Sequence, residues 1–241
     1  MALTQVQGVI RRRLLVNFRA HPDHIQPHLP APFQPKLHEG SAIVGICLIR
    51  LEQIRPQGVN LPVGLSSENA AHRIAVRWTD ANGVEREGVY IPRRDTGSTL
   101  NHLAGGRLFP GEHHQADFEV HDQDGQINLS MRSRDGLVAV NIAAHEADAL
   151  SATSEFDSLE EASEFFRAGS SGFSATKSGT RLDGLELDAS RWAVTPLSVQ
   201  SVFSSFFADP TRFPKDAVRF DCALLMRDIP HRWHAVPDPT A

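Results

Sequence analysis

Pro92-Arg93-Arg94-Asp95 places two guanidinium groups next to a carboxylate at the end of a strand-like run. A guanidinium keeps its proton at any working pH and presents a planar fork of donors. Such a step suits the holding of a carboxylate, carbonyl or phosphate and does not suit nucleophilic attack. Adjacent strand residues point to opposite faces, so at most one of Arg93 and Arg94 can enter an enclosed space. Both can equally be surface residues paired with Asp95, Glu85 or Glu87. Arg73 and Arg77 share a strand face, and Asn101 follows Arg94 at helical distance. Facing inward, the arginines would build a positive pocket; facing water, they form an ordinary solvated stripe. Arg13, Asn17 and Arg19 pose the same alternative on an earlier strand.

Other chemistries find less support. The twelve histidines, His113, His114, His121 and His145 among them, are scattered, with no His-x-x-x-His beside a carboxylate and no Cys-x-x-Cys, so no metal site is expected. Gly172 to Ser178 lacks the glycine that a phosphate loop carries before its lysine, and neither G-x-S-x-G nor a strand-borne G-x-G-x-x-G occurs. No cofactor is called for. Lys36, Lys177 and Lys215 are the only lysines among 24 basic residues, and none sits where burial or a neighbouring cation would make its amine reactive. Cys47 and Cys222 lie in apolar runs and read as buried reduced thiols acting as small hydrophobes.

The elements that must position these residues follow from periodicity. Ile74, Val76 and Trp78 alternate with Arg73, Arg77 and Thr79, Asn82-Gly83 makes a turn, and a second strand runs from Val84 to Ile91, where Pro92 ends it. Ser98 or Thr99 caps a short helix reaching Gly105-Gly106. Leu14, Val16 and Phe18 mark a first strand, and Ser41 to Ile49, apolar on both alternating faces, a central one covered on both sides. Residues 113 to 145 form a three-strand meander turning at Asp124-Gly125 and Asp135-Gly136. Ser158 to Glu161 is a capping box for a helix ending at Gly169. Thr195-Pro196 opens a second helix, with Val199, Val202, Phe203, Phe206 and Phe207 on one face, and Val218 to Ile229 is a final strand. Strands joined mainly by hairpins exclude an alternating βαβ fold but do not separate a barrel from a sandwich.

Four patches together resemble a known superfamily: the hairpin with its Pro-basic-basic step, the opening strand followed by Asp23, Pro27, Leu29 and Pro30, the Phe-Pro before Lys215, and the closing FDCALLMRDIPHRW. The chain is similar to the acetoacetate-decarboxylase-like superfamily, and within it to the YqjF-type branch of unknown function. The resemblance implies an α+β fold, a mostly antiparallel, closed or nearly closed β-barrel with a few flanking helices, as one domain over residues 1–241. In the decarboxylases the step is Pro-Lys-Lys, and one lysine forms an imine with the keto-acid. Pro92-Arg93-Arg94 departs from that pattern, so the resemblance implies the pocket without the imine. It also points loosely to Glu68 as an acidic pocket residue.

Two functions fit. In one, the chain binds a small carboxylate or keto-acid through Arg93, Arg94, Arg73, Arg77 and Asn101, without chemistry. In the other, arginine anchors such an acid while Glu68 or Asp95 moves a proton. A net charge of −5 and a pI near 6.2 provide no basic field for nucleic acid. No apolar signal core follows Arg11-Arg12-Arg13 and no run spans a bilayer, so a cytoplasmic protein with no membrane partner is expected. Whether copies associate as a homo-oligomer is left open.

Overall fold

A computed structural model of the chain describes residues 5–56, 64–99, 111–176, 179 and 181–239. In chain order the strands are β1 (Gln5–Ala20), β2 (Gln34–Pro35), β3 (Leu37–His38), β4 (Ser41–Pro56), β5 (Leu65–Thr79), β6 (Glu85–Thr96) and β7 (His113–Gln123). There follow β8 (Gln126–Ser133), β9 (Ala139–Glu146), β10 (Ser171–Ala175), β11 (Leu182–Ala189), β12 (Thr195–Ser204) and β13 (Val218–Val236). Three α-helices accompany them among the described residues, α1 (Pro22–Ile25), α2 (Leu159–Ala168) and α3 (Ser205–Ala208), with one turn of 3-10 helix at Gln26–His28. None is long and apolar enough to cross a membrane.

The organising feature is a wall of long strands in the order β13–β1–β4–β5–β6, antiparallel throughout. Its strands bury both faces, as the doubly apolar run at residues 41 to 49 requires. Ala42, Val44, Ile46 and Leu48 pack into one cluster with β7, β8, β9 and β12. Ile43, Cys47, Ile49 and Leu51 pack into a second with α2. The long strands of the wall allow two ring-like closures. One half of β13 pairs with β12 at Ala223–Leu225, and the other with β11 at His231–Val236. Likewise β6 pairs with β10 at Val89 and Tyr90, and with β7 at Arg94–Thr96.

These two β6 contacts are parallel, so the expected antiparallel barrel fits only in part. The architecture is a mixed thirteen-stranded sheet with ring-like closure. Helix α2 starts at the N-cap its capping box predicts: Ser158 Oγ accepts from the Glu161 amide at 3.1 Å, while the Glu161 side chain reaches one residue further back and accepts from the Asp157 amide at 2.9 Å.

Two local expectations are corrected. The second strand of the hairpin does not stop at Pro92 but continues to Thr96. An extra residue opposite Arg73 makes this a bulge, since His72 pairs with Arg93 but Ile74 with Tyr90, and the exposed proline has no ladder hydrogen bond to lose there. The helix expected from Thr195 is strand β12 up to Ser204, with α3 a single turn after it. Ser, Thr and Val dominate the segment, and β9 offers a full ladder from Glu146 to Val140, interrupted by one irregularity between Val199 and Ser201. Phe203, placed on the expected helical face, is therefore 48% exposed, while Phe206 and Phe207 reach the core. The helix expected from Ser98 or Thr99 to Gly105-Gly106 falls largely outside the described residues.

Candidate functional site

The bulge in β6 decides which arginine is enclosed. Regular alternation from Val89 and Ile91 would put Arg93 on their face; the extra residue reverses the parity and puts Arg94 there instead. Val89, Ile91 and Arg94 line a cavity of about 130 Å³ between the central wall and the β10–β11 side of the sheet. Arg73 from β5 and Arg13 from β1 enter the same cavity, which is otherwise walled by Ile49, Leu51, Leu185, Leu187 and Trp233.

None of these three guanidinium groups has a carboxylate within ion-pair distance among the described residues, and the remaining positions of the chain carry no Asp or Glu. Arg94 donates to Ser174 Oγ at 3.1 Å. Arg73 donates to the Asn17 side-chain oxygen Oδ1 and stacks over the Phe166 ring at 4.9 Å, with its Nε unpartnered. Arg13 donates to Cys47 Sγ at 3.3 Å. Burial lowers the pKa of both Arg73 and Arg94 to about 10, which leaves them charged at neutral pH. Gly45 is the register partner of Arg73. A Cβ there would lie 3.3 Å from the guanidinium and 2.6 Å from the Val16 carbonyl oxygen, so only glycine leaves the room Arg73 occupies.

Arg93 does the opposite job. Only 8% exposed, it grips both Asp95 oxygens, with Nη2 at 2.7 Å from Oδ1, and reaches Asp135 in the β8–β9 turn at 2.8 Å. Burial raises the Asp95 pKa against the pull of Arg93. At Asp135, donors from Ser133, the Leu137 amide and Arg93 outweigh the cost of burial and hold the carboxyl well below its usual range. Asp95 borders the cavity, but its oxygens are engaged.

Glu68 lies on the other face of β5 from Asn69, Ala71 and Arg73. It accepts from buried Arg12 at 2.7 Å, in a cluster that also holds Asp122 and Arg227. Arg77 has the parity of Arg73 but sits near the strand end, exposed, beside Gln34 at 3.5 Å. Asn101 and Lys177 lie outside the described residues. Lys36 is paired with Glu87 at 2.6 Å, and Lys215 borders a separate surface groove.

The structure thus brings Arg94 and Arg73 together, adds Arg13, and leaves Arg93, Arg77 and Glu68 elsewhere. The sequence offered no sign that Cys47 shares this cavity, because a thiol in an apolar run reads as core. Among the described residues no three His, Cys, Asp or Glu gather as a metal site.

Comparison with known proteins adds a fold and a family. Three solved structures are similar: an acetoacetate decarboxylase from Legionella pneumophila, at 11% identity and a TM-score of 0.60, covering 97% of this chain and 87% of that one; an acetoacetate decarboxylase-like enzyme from Sphingomonas wittichii RW1, at 13% and 0.56, covering 98% and 92%; and the enduracididine biosynthesis enzyme MppR complexed with pyruvate, at 11% and 0.58, covering 98% and 90%. At such identities the likeness concerns the fold alone. No curated protein matches in sequence. Residues 9–218 match the family model DUF2071, described as "Uncharacterized conserved protein (COG2071)".

Proposed function

From the premise that the chain belongs to the DUF2071 family, within the acetoacetate-decarboxylase-like superfamily, we propose that it binds a small carboxylic acid in this cavity, a 2-oxo acid fitting best. One observation carries the reading: buried Arg73 and partly buried Arg94 and Arg13 line one small, mostly apolar hollow with no carboxylate within ion-pair distance of them among the described residues, the bordering Asp95 being held by Arg93. Burying charge without a partner costs several kcal/mol per ion, a cost that an incoming carboxylate offsets. Arg94 and Arg73 take the carboxylate, and the walls of Ile49, Ile91 and Leu187 take a short alkyl group. The volume supports a ligand of few atoms, since an apolar cavity of about 150 Å³ holds benzene. That MppR, which shares the fold, is complexed with pyruvate agrees with the ligand class.

Binding is favoured over proton transfer because Glu68 is tied to Arg12 on the far face and Asp95 is held by Arg93. The test is thermal unfolding with pyruvate, acetoacetate and other small acids. The best ligand stabilises the wild-type chain and Arg11→Ala alike, since Arg11 makes only exposed pairs with Glu52 and Asp228, but fails to stabilise Arg94→Ala. Equal stabilisation of both variants would remove Arg94 from the site. Borohydride in the presence of acetoacetate traps no adduct; one at Lys36, Lys177 or Lys215 would restore imine chemistry.

A further inference from the structure

Cys47 is a cavity residue that the carboxylate site does not use. Its neighbours across the sheet form a row: Cys47 on β4 is in register with Ala71 on β5, and Ala71 with Arg94 on β6. Ala71 carries only a methyl group, so the Cys47 thiol and the Arg94 side chain flank an open gap on the cavity face. With strands about 4.8 Å apart, their backbones are about 10 Å from each other, a separation that a small acid bridges. Arg13 Nε donates to the sulfur from 3.3 Å, which fixes where the thiol sits on the cavity face. A second, independent feature marks the same spot. Arg73, 4% exposed, lines this cavity with no carboxylate within ion-pair distance among the described residues, so a cation without a counterion shares the hollow with the thiol.

We propose that Cys47 is a nucleophile for small carboxylic acids that carry an electrophilic carbon, the arginines delivering the acid to the thiol. The inference rests on the carboxylate site proposed above and gives that site a reacting atom. With a 2-oxo acid, a sulfur lone pair forms the S–C bond to the carbonyl carbon. The C=O π pair moves to the carbonyl oxygen, and the thiol proton ends on that oxygen. The product is a reversible thiohemiketal; nothing leaves, and no oxidant, reductant or cofactor is consumed. An amine would go on to lose water and form an imine, whereas a thiol adduct stops at this tetrahedral stage, so the ligand is held rather than decarboxylated.

The test compares two alkylating agents that differ in charge. Iodoacetate carries the carboxylate that the arginines would bind; iodoacetamide does not. With either, the S–C bond forms as iodide leaves with the C–I pair and the thiol proton passes to buffer. Rates at each cysteine are followed by peptide mass spectrometry. Cys222 serves as the internal control, being 1% exposed, outside the cavity, and with its thiol pKa pushed up by burial to about 12. The expected result is an iodoacetate-to-iodoacetamide rate ratio at Cys47 at least about ten-fold above that of N-acetylcysteine, the low end of what a focused electrostatic field supplies. Arg94→Ala abolishes that preference, Cys222 stays unmodified, and pyruvate slows carboxymethylation of Cys47.

A ratio equal to that of the free thiol, or an unreactive Cys47, overturns the inference, and if pyruvate still stabilises the protein the carboxylate site stands without it. A raised ratio that pyruvate does not affect upholds the arginine-delivered thiol and overturns the 2-oxo acid as ligand.

Discussion

Arg93 and Arg94 are neighbours of one type with opposite roles, and the difference is measurable in stability. Arg93→Ala leaves the fully buried Asp95 without its cation and should cost about 3 kcal/mol or more in denaturant unfolding. Arg94→Ala removes a partly buried charge that has no carboxylate partner, so stability should change by less than about 1 kcal/mol or rise, while carboxylate binding is lost. A similar loss of stability in both variants would make Arg94 a structural ion. His72 supplies a pH signature on the other face of the wall. It is fully buried, against Phe206 and Phe207, with Nε2 at 3.1 Å from Ser204 Oγ. Burial first, then the charge of Arg93, lowers its pKa from 6.5 to about 3. The unfolded chain therefore takes up a proton below pH 6.5 that the folded chain refuses until pH 3. Stability from this group is complete above pH 6.5 and declines by about 1.4 kcal/mol per unit as pH falls towards 3. His72→Gln should flatten that acid limb in urea titrations at pH 4 to 7; an unchanged slope would assign it to other groups.

At the scale of elements, a bulge and a helix set the site. The bulge opposite Arg73 was not readable from sequence, because Pro92 looks the same whether it ends a strand or sits in an irregular one. Only the pairing of β5 with β6 distinguishes the two cases, and with it the choice between Arg93 and Arg94. Helix α2, by contrast, was written in its capping box, and it places Phe166 over Arg73. Ser158→Ala should lower stability by about 1 kcal/mol through loss of the N-cap and weaken binding of the small acid by loosening that cover. Unchanged affinity with the expected loss of stability would show that α2 does not shape the site. The expected helix at Thr195 failed for a related reason: a 3.6-residue spacing of Val and Phe is also met by a strand whose alternation is broken once, as between Val199 and Ser201.

At the scale of the whole molecule, a chain of net charge −5 encloses a cavity whose own side chains carry uncompensated positive charge. Ligand binding should then be strongly coupled to global stability. At about 100 times its dissociation constant the ligand adds about 2.7 kcal/mol, a rise of about 5–10 °C in melting temperature for a chain of this size. A ligand that saturates the site without moving the transition would mean that the unfolded chain binds it too. Length, composition and periodicity by themselves determined that this is a β-rich fold built around a doubly buried central strand, with a hairpin delivering a Pro-Arg-Arg step. These properties are local, because period-two alternation, turn residues and side-chain chemistry each act within a few positions. Which arginine is enclosed, that Arg13 joins it from 81 residues away, and that Cys47 shares the cavity were decided only by the tertiary structure. Those facts depend on strand register, and a shift of one residue moves a side chain to the opposite face without changing any local pattern that produced the strand.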